Sequence, residues 1–565
     1  MVTMKKKSIK YQSITELLLV LSIIVLANLI LSNYFFRIDL TKEKRFKLSK
    51  SSIALAEKVN QTMFVKVYLE GEFPSGFKRL RQSTKEMLDE FRVYSNNNIQ
   101  YEFIDPFKDA DEKKSNDIIQ ELGSKGLQPT NVQIKRDDEF SQKIIVPGAI
   151  FFYNGREFAV NLLKSQFGAA PEETINSSIE LMEYEFANVL RKATEKSVKK
   201  IGFIHGHGEL DKWDIAEAKR ELEQYYTIED VDLSIQVPEK LKEYAGIIIA
   251  RPTLPVNDFD KFKIDQYIMN GGKVLWLVET QLAEMDSLYS RNMYVTPGYP
   301  HGLEEMLFSY GARVNQNIVQ DLQCNGIPVL SGMSNGTPQQ KILPWMFYPV
   351  ISPSTDHPIV KNIDPIWHQF TASIDTTGNK NVKKTVLLQS SEYSRAVNAP
   401  VRVDLTIARL NPEPALFRGK GNHITAVLLE GAFNSTYRYR YDSSKQPTLA
   451  FKDHVDNNKM IVVADGDVIR NQYKKSTGEV FSLGYDRYTN QQFGNARFIL
   501  NCMDYMCDDS GIIEVRAKEI TLRLLDKGKI KKEKLMWQVI NMALPIAIIL
   551  LFGLINRMIR KKKYS

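Results

Sequence analysis

The chain is predicted to be a membrane-anchored α/β protein, with two blocks of alternating strands and helices held between a transmembrane helix near each end. Three observations predict this. Leu17–Phe36 (LLLVLSIIVLANLILSNYFF) carries no charge over twenty positions, about the length a helix needs to cross a bilayer. Leu535–Ile555 (LMWQVINMALPIAIILLFGLI) is a second such run, closed by Arg557-Met-Ile-Arg-Lys-Lys-Lys563. Between them, short apolar strand-like runs alternate with helical periodicities, the pattern of a parallel sheet covered on both faces.

Charge separates the same three regions. The net charge of +8 is the sum of unlike parts. Residues 1–50 and 515–565 hold 23 Lys/Arg against 6 Asp/Glu, whereas the stretch between holds 52 against 61, a net of −9. The basic residues flank the apolar runs, where Lys and Arg meet lipid headgroups. An acidic body excludes nucleic acid as the main partner, because phosphate binding needs a basic surface. At 565 residues the chain is too long for a single core. Its three cysteines, Cys324, Cys502 and Cys507, fit neither a CxxC motif nor a disulfide framework.

The first apolar run follows Lys5-Lys6-Lys7, as a signal peptide would, but it is long. It ends in Tyr34-Phe35-Phe36 rather than small-x-small, so it is read as an uncleaved anchor. Juxtamembrane Lys/Arg counting leans mildly toward a cytoplasmic body, although long loops translocate largely regardless of charge. The boundaries read as basic N-terminus 1–13, transmembrane helix 14–36, basic stalk 37–50 and a first α/β domain 51–198. A second domain, 199–514, carries an insertion at about 285–450; stalk 515–534, transmembrane helix 535–556 and basic tail 557–565 follow.

In the first domain, Phe64–Leu69 alternates as a strand and Pro74-Ser-Gly76 turns the chain. Phe77, Leu80, Met87, Leu88 and Phe91 then mark one helix face. Strands at Ile99–Ile104, Asn131–Ile134, Ile144–Tyr153 and Glu157–Val160 surround a polar helix at about 111–122. This β-α-β-α-β-β order resembles a thioredoxin-like unit without its CxxC. A linker helix follows, striped by Ile175, Ile179, Met182, Phe186 and Val189.

The second domain reads as doubly wound and Rossmann-like. Ile201–Ile204, Ile228–Leu233, Ile247–Ala250 and Lys273–Val278 are its strands, with helices at about 214–225 and 258–270. A late strand, Met460–Ala464, is expected in the same sheet, and the insertion is rich in strand-like runs such as Lys384–Leu388 and Thr425–Leu429.

Ligands of open α/β sheets bind beyond the carboxyl ends of the strands. Three loops sit there: His205-Gly206-His207-Gly208-Glu209, Arg251–Pro255 and Asp465-Gly466-Asp467. The two histidines and Glu209 have the chemistry of metal ligands or a general base, while the two glycines equally suit a tight turn. Asp465 and Asp467 suit either a divalent cation or a cap on the following helix. No catalytic or metal residue is assigned, and no cofactor is expected. Gly271-Gly272-Lys273-Val274 is too short for a P-loop and lacks its hydroxyl. No nucleophile elbow follows a predicted strand. Gln538 and Asn541, one turn apart in the second anchor, suit hydrogen bonds to another membrane helix.

Several stretches together resemble the substrate-binding-type auxiliary component (the G component) of the gliding-motility ABC transporter of Bacteroidota. They are Pro74–Leu80, Glu86–Phe91, Glu102–Pro106, Gly206–Glu209, Ile264–Lys273, Leu303–Gly311, Val319–Cys324 and the tail from Leu522. The likeness spans nearly the whole chain, although no motif within it is chemically diagnostic. It implies a non-enzymatic accessory subunit in the inner membrane, its body facing the periplasm. It also implies a multi-spanning permease and a separate P-loop ATPase as partners. The central domain would then resemble one shared with eukaryotic intraflagellar-transport proteins, related in shape to class I glutamine amidotransferases but lacking their nucleophile. Two other readings stand beside it: a metal-assisted or amidotransferase-like hydrolase centred on His205–Glu209, and a solute receptor that uses the 285–450 insertion.

Overall fold

Alternation in the sequence becomes sheet wherever each strand can bury a face. The computed structural model describes residues 15, 17–26, 47–108, 111–136, 139–164, 170–195, 198–290, 293–334, 337–353, 355–410, 412–440, 451–517 and 527–564. The chain divides into two compact units, Met1–Glu519 and Ile520–Ser565.

The larger unit opens on helix α1 (Lys50–Glu57), whose N-cap Ser49 accepts from the Ser52 amide. Strand β1 (Met63–Val67), helix α2 (Ser75–Tyr94), strand β2 (Ile99–Phe103) and helix α3 (Glu112–Ser124) follow. Next come β3 (Thr130–Arg136), β4 (Glu139–Ile145), β5 (Gly148–Tyr153) and β6 (Arg156–Asn161). β1 pairs with β2 in parallel and with β5 antiparallel, and β5 pairs antiparallel with β6, giving the order β2-β1-β5-β6. The single strand expected over Ile144–Tyr153 is two. Pro147 and Gly148 break it, so that β4 returns along β3 while β5 enters the sheet.

Helix α4 (Pro171–Thr194) carries the expected apolar stripe but is buried well beyond it, at Leu181, Tyr184, Asn188 and Arg191 as well. Phe186 packs edge-on against Phe91 and Phe151 of the first block. Glu183 accepts from the Ser49 amide at 2.6 Å and from the Ser52 hydroxyl at 2.8 Å, tying α4 to α1.

The second block is built on one nine-stranded sheet. Its parallel part runs β8 (Thr227–Asp232), β7 (Lys200–His205), β9 (Tyr244–Ala250), β10 (Lys273–Leu277) and a late strand, His454–Val463. Between β7 and β8 lies α5 (Ala216–Glu223), and between β9 and β10 lies α6 (Asp258–Met269). Successive side chains of a strand face opposite ways. Ile248 and Leu275 therefore join one core with Phe498 and Met503 of α7 (Asn495–Cys507), while Ile247 and Trp276 join the other with Tyr267 and Ile268 of α6.

Part of the insertion completes this sheet. Ile424–Asn434 pairs antiparallel with the late strand and also receives Ile374–Thr376 and Val382–Gln389; Ala312–Val314 pairs at the outer edge. The rest forms small antiparallel sheets around an aromatic cluster of Trp345, Phe347, Tyr348 and Phe370. All three cysteines are free; burial pushes the Cys507 thiol up to about 12.

The smaller unit is helix α8 (Lys527–Tyr564), with Pro545 inside it. Among the described residues, its segment Lys532–Ile559 is long and apolar enough to cross a membrane. Of the N-terminal run, Leu17–Leu26 is an apolar helix; positions 27–36, most of the first stalk and residues 518–526 of the second lie outside the described residues.

Candidate functional site

At the carboxyl edge of the sheet, the ends of β7, β9, β10 and the late strand lie side by side. The β7 loop folds back onto the β9 loop. Gly206 (φ 124°) and Gly208 (φ 72°) take left-handed conformations, and a Cβ at Gly208 would sit 2.3 Å from the Thr253 hydroxyl oxygen. The amides of Thr253 and Leu254 donate to the His207 carbonyl at 3.0 and 2.9 Å.

His207 is buried between two carboxylates. Its Nε2 lies 3.1 Å from Asp260 Oδ2, and its Nδ1 lies 3.5 Å from Glu209 Oε1. The Glu209 hydrogen bond raises the His207 pKa, with Asp260 adding to it against the opposing cost of burial. Both ring nitrogens therefore face carboxylates of the protein itself. His205 turns elsewhere: its Nε2 lies 2.7 Å from Asp230 on β8. The two histidines thus do not converge.

Arg251, Asp465, Gly466 and Asp467 do converge. Arg251 sits in the left-handed region (φ 58°), and a Cβ at Gly466 would lie 2.5 Å from the Arg251 Cβ, so the close approach requires glycine. Arg251 Nε donates to Glu279 at 3.0 Å, Nη1 to Glu284 at 2.9 Å, and Asp467 Oδ1 lies 3.7 Å away. Arg470 joins Asp467 (3.1 Å) to Asp214 (2.9 Å). Asp465 accepts from the amides of Asp467 and Gln369 at 2.8 Å and lies 2.9 Å from His368 Nδ1. The Asp-Gly-Asp loop therefore acts as a local cap and as an anchor for the insertion.

Oxygens of Glu279, Asp465 and Asp467 all lie within 4.8 Å of one another, and all three residues are buried. Three carboxylates so placed could hold a cation, but Arg251 already stands among them. Burial raises the Glu279 pKa well above the ordinary carboxylate value against the pull of Arg251, and burial raises Asp465 too. A cleft of about 530 Å3 opens beside this cluster, lined by Asp214, Asp467 and Arg470 from the sheet side and Tyr348, Trp367 and Phe370 from the insertion.

Sequence reasoning missed Glu279, Asp260, Asp214, Arg470 and His368. Glu279 had a signal, since it stands two residues beyond β10 at the carboxyl edge. His368 and Asp260 had none, because their partners are 97 and 53 residues away, respectively. A G-x-S-x-G string, Gly332-Met-Ser-Asn-Gly336, also occurs. Ser334 there ends a strand paired antiparallel with Thr337–Ile351, a hairpin rather than a strand-to-helix elbow.

Residues 198–502, more than half of the chain, match the family model described as an ABC-type uncharacterized transport system, a family of auxiliary components. The chain belongs to this family. Its family segment holds every strand-end residue described above, from His205 to Asp467, and excludes Gln538 and Asn541, which are exposed on α8. Residues 42–152 match a domain of unknown function. An uncharacterized protein of Borreliella burgdorferi is 22% identical over 98% of this chain and 99% of its own length. Among solved structures, the mmIFT52 N-terminal domain aligns at 12% identity over 58% of this chain and all of that one, with a TM-score of 0.31. A GH42 β-galactosidase from G. stearothermophilus aligns at 8% identity over 52% of this chain and 42% of that one, at 0.14. Neither score carries an argument.

Proposed function

We propose that the chain is a non-enzymatic, membrane-anchored accessory subunit of an ABC-type transport system. The observation that carries the reading is the charge network at the sheet's carboxyl edge, lying inside the family match. There, His207, Arg251, Asp465 and Asp467 are all engaged by neighbouring side chains. Groups so engaged hold the strand-end loops together. The order β2-β1-β5-β6 supports a thioredoxin-like first domain, and the parallel sheet with helices on both faces supports an amidotransferase-like second one, both as scaffolds.

In this reading both ends of the chain span the inner membrane and the body lies in the periplasm. The anchors pack on a permease, with Gln538 and Asn541 bonding across helices, and a separate ATPase supplies the Walker motifs. The finer reading is a system required for gliding motility. The test is mild-detergent purification of the tagged full-length chain: a permease and a P-loop ATPase should come with it, and recovery of the chain alone would sink the reading. The cleft between Arg470 and the insertion favours a second reading, a solute receptor. It predicts that some solute of a broad panel raises the melting temperature of the full-length chain; a flat response across the panel argues against it.

A further inference from the structure

A second crevice, of about 500 Å3, lies between the two α/β blocks along the flank of α4. The first block contributes Lys164, α4 contributes Glu185 and Lys192, and the second block contributes Arg497 and Arg516. Glu185 serves two cations at once, Lys164 at 3.2 Å and Arg497 at 3.3 Å. Lys192 has a neutral partner, Gln224 at 3.2 Å, and lies 3.8 Å from the centre of the Tyr225 ring.

Arg516 is 3% exposed and donates to neutral oxygens, the carbonyls of Lys361 (3.1 Å) and Asn362 (3.2 Å), while its Nε has no partner among the described residues. Glu221 and Asp364 complete the charged lining, leaving the cations in excess by one. Burial depresses the Lys192 amine to about 8 and lowers Lys164 and Arg516 as well. Arg497 differs: against the cost of burial its pKa is raised by Glu185, and its side chain is 31% exposed. Cations that outnumber the carboxylates beside them are stabilised by an anion that completes the set.

We propose that this crevice binds a small oxyanion solute, carboxylate- or phosphate-bearing, held by Lys164, Lys192, Arg497 and Arg516. Both blocks and the helix between them contribute, so the bound anion fixes the two blocks against each other. The inference is independent of the transport reading. It applies whatever partners the anchors have.

The test is a thermal titration of the full-length chain in detergent with citrate and, separately, inorganic phosphate, against KCl at matched ionic strength. At a hundredfold excess over the dissociation constant, at least one anion should raise the melting temperature by about 3 °C or more, saturably. Lys192→Gln and Arg497→Gln should each weaken that binding about tenfold through loss of a charge-assisted hydrogen bond. Lys192 makes no ion pair among the described residues and its charge is disfavoured by burial, so Lys192→Gln should fold, with a melting temperature in KCl at or above the parent's, and it decides the matter if Arg497→Gln misfolds. Citrate alone would assign a carboxylate ligand and phosphate alone a phosphate ligand. A response no larger than that of KCl, or one unchanged in Lys192→Gln, overturns the proposal.

Discussion

His207 is the residue whose chemistry the fold most constrains. Its pKa is raised by Glu209 and Asp260, so the folded state binds that proton more tightly than the unfolded chain does. The resulting stability is fully present below the ordinary histidine value of about 6.5 and is lost as pH rises through the folded value. Thermal melts of the full-length chain should therefore show the parent losing stability relative to His207→Gln over that rise; parallel curves would contradict a pKa raised by Glu209 and Asp260. Glu279 has the same sign for a different reason. Burial raises its pKa, so ionisation costs stability as pH climbs above the free carboxyl value of about 4.3. Glu279→Gln should then gain on the parent between pH 5 and 8, and a constant offset would show that Arg251 neutralises the site fully. The positions of His207 and Arg251 were legible, since both follow strands that their apolar runs marked plainly. Their partners were not. Asp260 lies 53 residues from His207 in the chain, and Glu279, although it stands two residues beyond β10, lies 28 residues from Arg251.

At the scale of the element, α4 decides how the two blocks are joined. Arg191, 4% exposed, reaches Asp504 on α7 at 3.1 Å and Asp508 at 3.3 Å, and the Tyr226 hydroxyl donates to Asp504 at 2.6 Å. Arg191→Ala strands a buried carboxylate and should cost about 3–5 kcal/mol, read by chemical denaturation; a loss under about 1 kcal/mol would mean the pair is not desolvated. The apolar stripe of α4 was legible because helical periodicity is local. Its second buried face was hidden, because Arg191, Asn188 and Glu183 look solvent-facing until their partners, far off in the chain, are known. The insertion failed for the same reason. Its strands were visible as runs, but only long-range pairing shows that Ile424–Asn434 extends the main sheet rather than building a separate lobe.

For the whole molecule, the apolar ends and the acidic body between basic flanks organise the account. Among the described residues, the second apolar run forms a candidate spanning helix, three residues longer at each end than the sequence boundary 535–556. Composition made that helix legible; nothing in composition says what lies beside it in the membrane. In the proposed function this chain works as part of a transport complex through its apolar ends and its body. The direct measurement is co-purification from membranes, comparing the full-length chain with one whose residues 535–556 are replaced by an unrelated apolar helix. A permease and a P-loop ATPase should come with the first, and the replacement should markedly reduce their recovery. If neither chain brings down a transporter component, the account is wrong.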